Sequence, residues 1–187
     1  GRAAVTVKLR IGVSSAAAAD TCLEAGAIAA AEGAAAVTLH CRRAEQGYAP
    51  PCDWGAAARL VERLSSGSAR GSGRDAVPVI LNGDVCTGRQ AVAAMRQTGA
   101  GGVMVGRAAL GRPWAFRGMA RALTMSGQVE DGGGGVEEEE EPEPTLREAL
   151  GVALRHAQLW ADHERWRSHR GRGGEAAARP PARQRPR

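Results

Sequence analysis

Apolar residues along this chain gather into four short runs, each followed by a stretch of helical character. Residues 4–9 (AVTVKL) are rich in β-branched side chains; 36–39 (AVTL), 77–81 (VPVIL) and 102–105 (GVMV) are compact apolar runs. Runs of this length bounded by turn residues predict strands. Because they are continuous rather than alternating, they predict strands buried on both faces. Between them, the Ala-rich stretch 15–32 has strong helix propensity. Asp53 is placed to cap a helix across Trp54–Leu64, and Thr87 one reaching about Thr98. After the fourth run a short helix is expected near Arg107–Leu110. A longer one should run from Pro113 to Leu123, with proline in its first turn. Strand followed by helix, four times over, predicts a parallel sheet with helices outside it.

The remaining segments read differently. Loop 65–76 (SSGSARGSGRDA) has the Gly/Ser content of a flexible insertion. Residues 125–144 form an acidic Gly/Glu-rich linker, too polar to build a core. Residues 145–166 predict one helix, with Leu146, Leu150, Leu154 and Trp160 near one face. The Arg/Pro-rich tail 167–187 is expected to be disordered. The expected organisation is thus a βα body over 1–124, the linker, the helix and the tail.

Composition sharpens this. The 187 residues suit one domain with tails. Aromatic content is only 3%, so the core must be built from Val, Leu, Ile and Ala. No run approaches the roughly 18 apolar residues of a membrane helix, and no membrane partner is expected. No signal or transit peptide is visible, and the absence of an initiating Met suggests a chain cut from, or starting inside, a larger gene product. The net charge of +5 conceals three regions: +7 over residues 1–125, −8 over 126–150 and +6 over 151–187. A basic body and tail fit a polyanion such as RNA, although a gene biased toward arginine codons would produce the same balance. Lys8 is the sole lysine among 25 basic residues. Four cysteines (Cys22, Cys41, Cys52, Cys86) lack metal-ligand spacing, so no metal site is expected, and they read as reduced thiols of an intracellular, reducing compartment.

The chemistry gathers where the apolar runs end. The first ends in Lys8 and Arg10, the second in His40 followed by Arg42 and Arg43, the third in Asn82-Gly83-Asp84 and the fourth in Gly106-Arg107. In parallel βα structures ligands sit at the C-terminal ends of strands. Glycine allows the backbone to approach a ligand closely, and arginine adds charge-assisted bonds to a phosphate. A lysine in a barrel mouth could stand beside the pyrimidine edge of a flavin. Taken singly, each residue has a plainer explanation: a strand-end lysine reaching solvent, a loop histidine, a tight turn, a surface arginine. Their recurrence after four consecutive strands is what points to a site.

These segments resemble the tRNA-dihydrouridine synthases. The matching stretches are VTVKLRIG (5–12), LHCRRAEQGYAPPCDW (39–54), VPVILNGDV (77–85) and GGVMVGRAALGRPWAF (101–116), with GRAALGRPW the most specific. The resemblance covers about residues 1–124 and implies a partial TIM (β/α)8 barrel, its four C-terminal βα units. It implies FMN as cofactor, NADPH as reductant and tRNA as partner. In such enzymes the flavin N5 delivers hydride to C6 of a uridine and a cysteine acid protonates C5. By resemblance, Lys8 and His40 face the flavin ring system, Asn82, Gly83 and Asp84 form an FMN-contacting loop, and Gly106 and Arg107 hold the FMN phosphate. Arg42, Gln46 and Tyr48 fall near the substrate entrance. The family's first four βα units and its cysteine loop have no counterpart here, so no catalytic acid is assigned. Cys41 and Arg43 stand where the family usually has Gly and Thr, and Cys52 where it often has Ala. The missing half of the barrel is a possible partner, and residues 145–166 a possible first helix of the family's tRNA-binding domain. His156, His163 and His169 read as surface residues. Four units cannot close a barrel, so the strand at 4–9 should be an open edge. Two other readings stay open: another FMN barrel, such as a dihydroorotate dehydrogenase or old-yellow-enzyme relative, and a non-catalytic RNA-binding or interaction protein.

Overall fold

The computed structural model describes residues 3–14, 21–48, 51–68, 76–127 and 143–170. Four strands, β1 (Thr6–Arg10), β2 (Ala36–His40), β3 (Val79–Asn82) and β4 (Gly102–Met104), pair in parallel in the order of the chain. They alternate with α1 (Thr21–Ala31), α2 (Trp54–Ser68) and α3 (Gly88–Thr98); α4 (Ala115–Ser126) follows β4 after a 3₁₀ turn, Arg107–Ala109. Among the described residues β1 pairs only with β2 and leaves one edge open, as four units that cannot close would do.

Period-2 geometry sends alternate side chains to opposite faces. Val37 and Leu39 of β2 and Val79 and Leu81 of β3 pack against Ala56, Ala57 and Leu60 of α2, Ala91 and Ala94 of α3, and Cys22 of α1. Leu9 and Val103 continue this layer. The alternate residues look the other way, and here the expectation of strands buried on both faces holds only at the centre of β2, where Thr38 is buried between its neighbours. Thr6, Lys8 and Arg10 are exposed and Ile80 and Asn82 only half-buried, because no described element covers this face. It is the face that would line the interior of a closed barrel.

Local chemistry sets the element ends. Thr87 caps α3 with a reciprocal box: its hydroxyl accepts from the Gln90 amide and the Gln90 side chain accepts from the cap backbone. Gly99, at φ 69°, closes the same helix in the left-handed region. Asp53 Oδ1 accepts from the Ala56 amide at 3.3 Å, so the expected cap of α2 is present. That helix runs four residues past the expected boundary, to Ser68, taking the first part of the presumed loop; residues 69–75 lie outside the described residues. Pro113 does not occupy the first turn of α4. It falls in the turn before the helix, where Arg112 accepts from the Ala115 amide.

A second unit, Glu141–Arg187, carries α5 (Leu146–Arg170). Thr145 and Glu148 cap it reciprocally: the Thr145 amide donates to the Glu148 carboxylate at 2.8 Å and the Glu148 amide to the Thr145 hydroxyl at 3.3 Å. α5 runs four residues past the expected boundary at 166, so the tail expected at 167–187 begins as helix, and Met125 and Ser126 of the linker expected over 125–144 still belong to α4; residues 128–142 and 171–187 lie outside the described residues.

Candidate functional site

The C-terminal ends of the four strands bring most of the selected residues together. Lys8 and Asn82 meet directly: Lys8 Nζ donates to Asn82 Oδ1 at 3.0 Å, reaching across β2. Asn82 Nδ2 in turn donates to the Met104 carbonyl at 2.8 Å, which fixes the amide and ties β3 to β4. His40 sits on the same face, in register with Arg10 on one side and Asn82 on the other. Burial, then the charges of Arg10, Lys8 and Arg42, push His40 below its ordinary value, so its ring is neutral at neutral pH. Burial and the Arg10 charge likewise lower Lys8. This face concentrates positive charge around one neutral, hydrogen-bonding imidazole.

A second cluster is built around Asp84. Its carboxylate accepts two bonds from Arg42 Nη2, at 2.7 and 3.0 Å, and one from the Cys52 amide at 2.8 Å. Arg107 Nη2 reaches the same carboxylate at 3.5 Å. Burial alone would raise Asp84; the bonds from Arg42 and Cys52 outweigh it and hold the acid below its usual value. Asp84 sits in the left-handed region at φ 53°, a conformation that Asp adopts more readily than most non-glycine residues. Gly83 beside it has φ 126°, and a Cβ there would overlap Cys52 Sγ. Trp54 Nε1 donates to the Gly83 carbonyl at 3.0 Å, securing the turn from the start of α2.

The three residues expected near a substrate entrance separate. Arg42 is buried, its side chain 2% exposed, and its Nη1 donates to the Gly47 carbonyl at 2.9 Å, so it braces the loop from within. Gln46 closes that loop, accepting from the Arg43 amide and donating to the Pro51 carbonyl. Tyr48 is 65% exposed, and its ring lies under Arg107 with 4.1 Å from guanidinium carbon to centroid. Gly106, preceding the 3₁₀ turn, has open space where a Cβ would be.

Sequence reasoning named Arg10, Cys52 and Trp54 but gave none of them a role in the site. Arg10 was visible as a strand-end cation, but Cys52 and Trp54 reach the Gly83 turn only because α2 packs beneath β3. Cys41 is buried and its thiol is pushed up to about 12, by burial first and then by the neighbouring Cys52 and Asp53. Cys52 is pushed up to about 11 by burial and Asp84. Both therefore remain thiols near neutral pH, with little nucleophilic character. Among the described residues no group of three His, Cys, Asp or Glu side chains could hold a metal ion, and no helix is long and apolar enough to cross a membrane.

A four-stranded parallel sheet with helices on one face, its strand ends carrying Lys8, His40 and Asn82, defines an α/β protein consistent with part of a (β/α)8 barrel. The comparisons narrow this class. A family model described as dihydrouridine synthase (Dus) matches residues 2–165, and the chain belongs to that family. A probable tRNA-dihydrouridine synthase of Mycobacterium tuberculosis (strain CDC 1551 / Oshkosh) is 40% identical over 159 residues, covering 85% of this chain and 35% of that protein. One from Rhodobacter capsulatus is 37% identical over 122 residues, 64% of this chain and 33% of the relative. The tRNA-dihydrouridine(16) synthase of Cupriavidus necator is 38% identical over 112 residues, 59% and 30% respectively. The chain thus spans about a third of the length of these curated relatives. The family match extends beyond the expected 1–124 and takes in most of α5.

Proposed function

We propose that this chain is the cofactor-binding part of a flavin-dependent tRNA-dihydrouridine synthase, with FMN at the strand ends, NADPH as reductant and tRNA as substrate. The observation that carries the reading is the convergence of Lys8, His40 and Asn82 on the one face that no described element covers. The residues fit such a group. A planar ring with an anionic reduced form suits a lysine held by an asparagine. A phosphate suits Arg107, whose side chain is 60% exposed beside the open backbone of Gly106.

Bound FMN would supply the hydride that reduces the C5–C6 bond of a uridine. Lys8 would offer its ammonium to the pyrimidine edge of the ring, and Asn82 would hold that ammonium in place. His40, neutral, would donate or accept a hydrogen bond there without adding a further charge. Gly83 would let the backbone approach closely. The acid that protonates C5 would come from outside this chain, together with the strands that pair with β1 and complete the barrel; Cys41 and Cys52 are poorly suited to that role. We place the protein in an intracellular, reducing compartment, in keeping with four cysteines that form no disulfide among the described residues. The body 1–124 would serve the cofactor and α5 would begin a tRNA-binding part.

The test is titration of FMN with the purified chain, following flavin fluorescence, with circular dichroism to establish that the chain is folded. Saturable binding is expected, weakened at least tenfold by Lys8→Ala and by Arg107→Ala. A folded chain that binds no flavin would overturn the cofactor reading.

A further inference from the structure

The contacts of Arg107 join two parts of the site that the proposed function treats separately. Its side chain is 60% exposed, and its guanidinium stacks on Tyr48 at 4.1 Å and touches Asp84 at 3.5 Å. These two holds are unequal to those of its neighbours. Asp84 is already satisfied by Arg42 at 2.7 Å and by the Cys52 amide at 2.8 Å, so releasing Arg107 leaves that carboxylate paired. Tyr48 follows Gly47, whose carbonyl is fixed by Arg42, while the Tyr48 ring itself is exposed and its nearer cation is Arg107, Arg42 lying 5.9 Å away. Arg107 is therefore a weakly parked cation, and the ring it parks on belongs to the loop that follows β2.

We propose that Arg107 is a latch shared between Tyr48 and a phosphate monoester, so that a phosphate arriving at Gly106-Arg107 draws the guanidinium off the ring and frees the Tyr48 loop. The inference rests on the proposed reading of Gly106-Arg107 as a phosphate site. A phosphate dianion, carrying more charge than a carboxylate and geometry suited to the planar fork, competes well for this cation. A carboxylate shared at 3.5 Å and an exposed cation–π contact are weak competitors. By linkage, whatever the ring contributes to holding Arg107 must be given up on phosphate binding, so removing the ring tightens phosphate binding by that amount. Tyr48 would then be a positioning residue, open to substrate only when the cofactor site is filled.

Tyr48 is the sole tyrosine, so incorporation of 3-fluorotyrosine yields a single fluorine resonance that reports on the stack. The labelled chain is titrated in turn with FMN, riboflavin and inorganic phosphate, while flavin fluorescence reports binding independently. FMN and phosphate should move the Tyr48 resonance in the same direction and riboflavin should leave it near its starting position. Arg107→Ala should place the resonance at the ligand-bound position before any addition. Tyr48→Leu should tighten FMN binding about 2- to 5-fold, the worth of an exposed cation–π contact. Saturable FMN binding with an unmoved resonance, or weaker binding by Tyr48→Leu, would refute the latch while leaving the cofactor site standing. Absence of flavin binding by a folded chain would refute the cofactor reading; phosphate alone would then decide, a shift upholding the latch and an unmoved resonance ending it.

Discussion

At the scale of single residues, the site depends on groups whose protonation the fold has moved. Asp84 lies below its ordinary value of 3.8, so its carboxylate stabilises the fold at any higher pH, and this contribution fades as pH falls through the folded value. His40 lies below 6.5, which means the unfolded chain takes up its proton first and stability also declines as pH drops below that value. Urea unfolding between about pH 7 and pH 3 should therefore show two acid limbs. His40→Gln should remove the upper limb; Asp84→Asn should flatten the lower one and reduce stability at neutral pH. Lys8 can be observed alone among side-chain amines: after reductive methylation its NMR titration should give a midpoint below the ordinary 10.5. Gly83→Ala should cost about 1–3 kcal/mol, because φ of this sign is strained for alanine and the new methyl meets Cys52. Pairing it with Cys52→Gly should return part of that loss, which thermal unfolding would register.

At the scale of elements, the caps and the buried arginine decide how well the strand ends are held. Thr87→Ala removes the hydroxyl half of the α3 box and should cost about 1 kcal/mol in chemical denaturation, with no effect on the Lys8–Asn82 pair. Arg42 is a different case. Its guanidinium joins the loop after β2 to the turn after β3, and its side chain is 2% exposed while that of Asp84 is 31% exposed. Removing it leaves a half-covered carboxylate without its main partner; Arg42→Ala should cost about 3 kcal/mol, the low end for a buried pair because Asp84 keeps access to water. Arg42→Lys should recover little, since a single ammonium cannot hold both Asp84 and the Gly47 carbonyl in the same planar geometry. Arg42 acts through the Gly47 carbonyl and the Asp84 carboxylate that it positions, a role its place in the motif does not disclose.

For the βα body as a whole, the open edge of β1 and the uncovered sheet face set the behaviour in solution. Exposed strand edges pair with other chains unless charge or a covering element prevents it. Val5 is exposed just before β1, on an edge that no described strand covers. Sedimentation of the isolated chain should show concentration-dependent association, reduced by Val5→Lys. Adding the complementary part of a relative's barrel should suppress it as well, and should shield the face that carries Lys8 and Asn82.

Much of this architecture was legible before any coordinates. Four β-rich runs separated by capped helices could hardly be arranged except as a parallel sheet with helices packed on it, and Thr87 and Asp53 announced the starts of α3 and α2. Lys8, His40, Asn82 and Arg107 were visible because strand-end positions repeat in βα units, and the family match follows from the same segments. Burial on both faces holds only at the centre of β2 and fails for β1, because apolar composition along a strand does not reveal whether anything lies over its second face. The sequence by itself determined the order of elements, the parallel pairing and the end of the sheet where chemistry gathers, since these follow from local periodicity and capping. Only the tertiary structure decided that Arg42 is buried, that Asp84 joins three strand-end loops and that Arg107 lies on Tyr48. Those contacts join residues up to 59 positions apart (Tyr48 to Arg107), and they depend on how the loops pack in space, which no local pattern encodes.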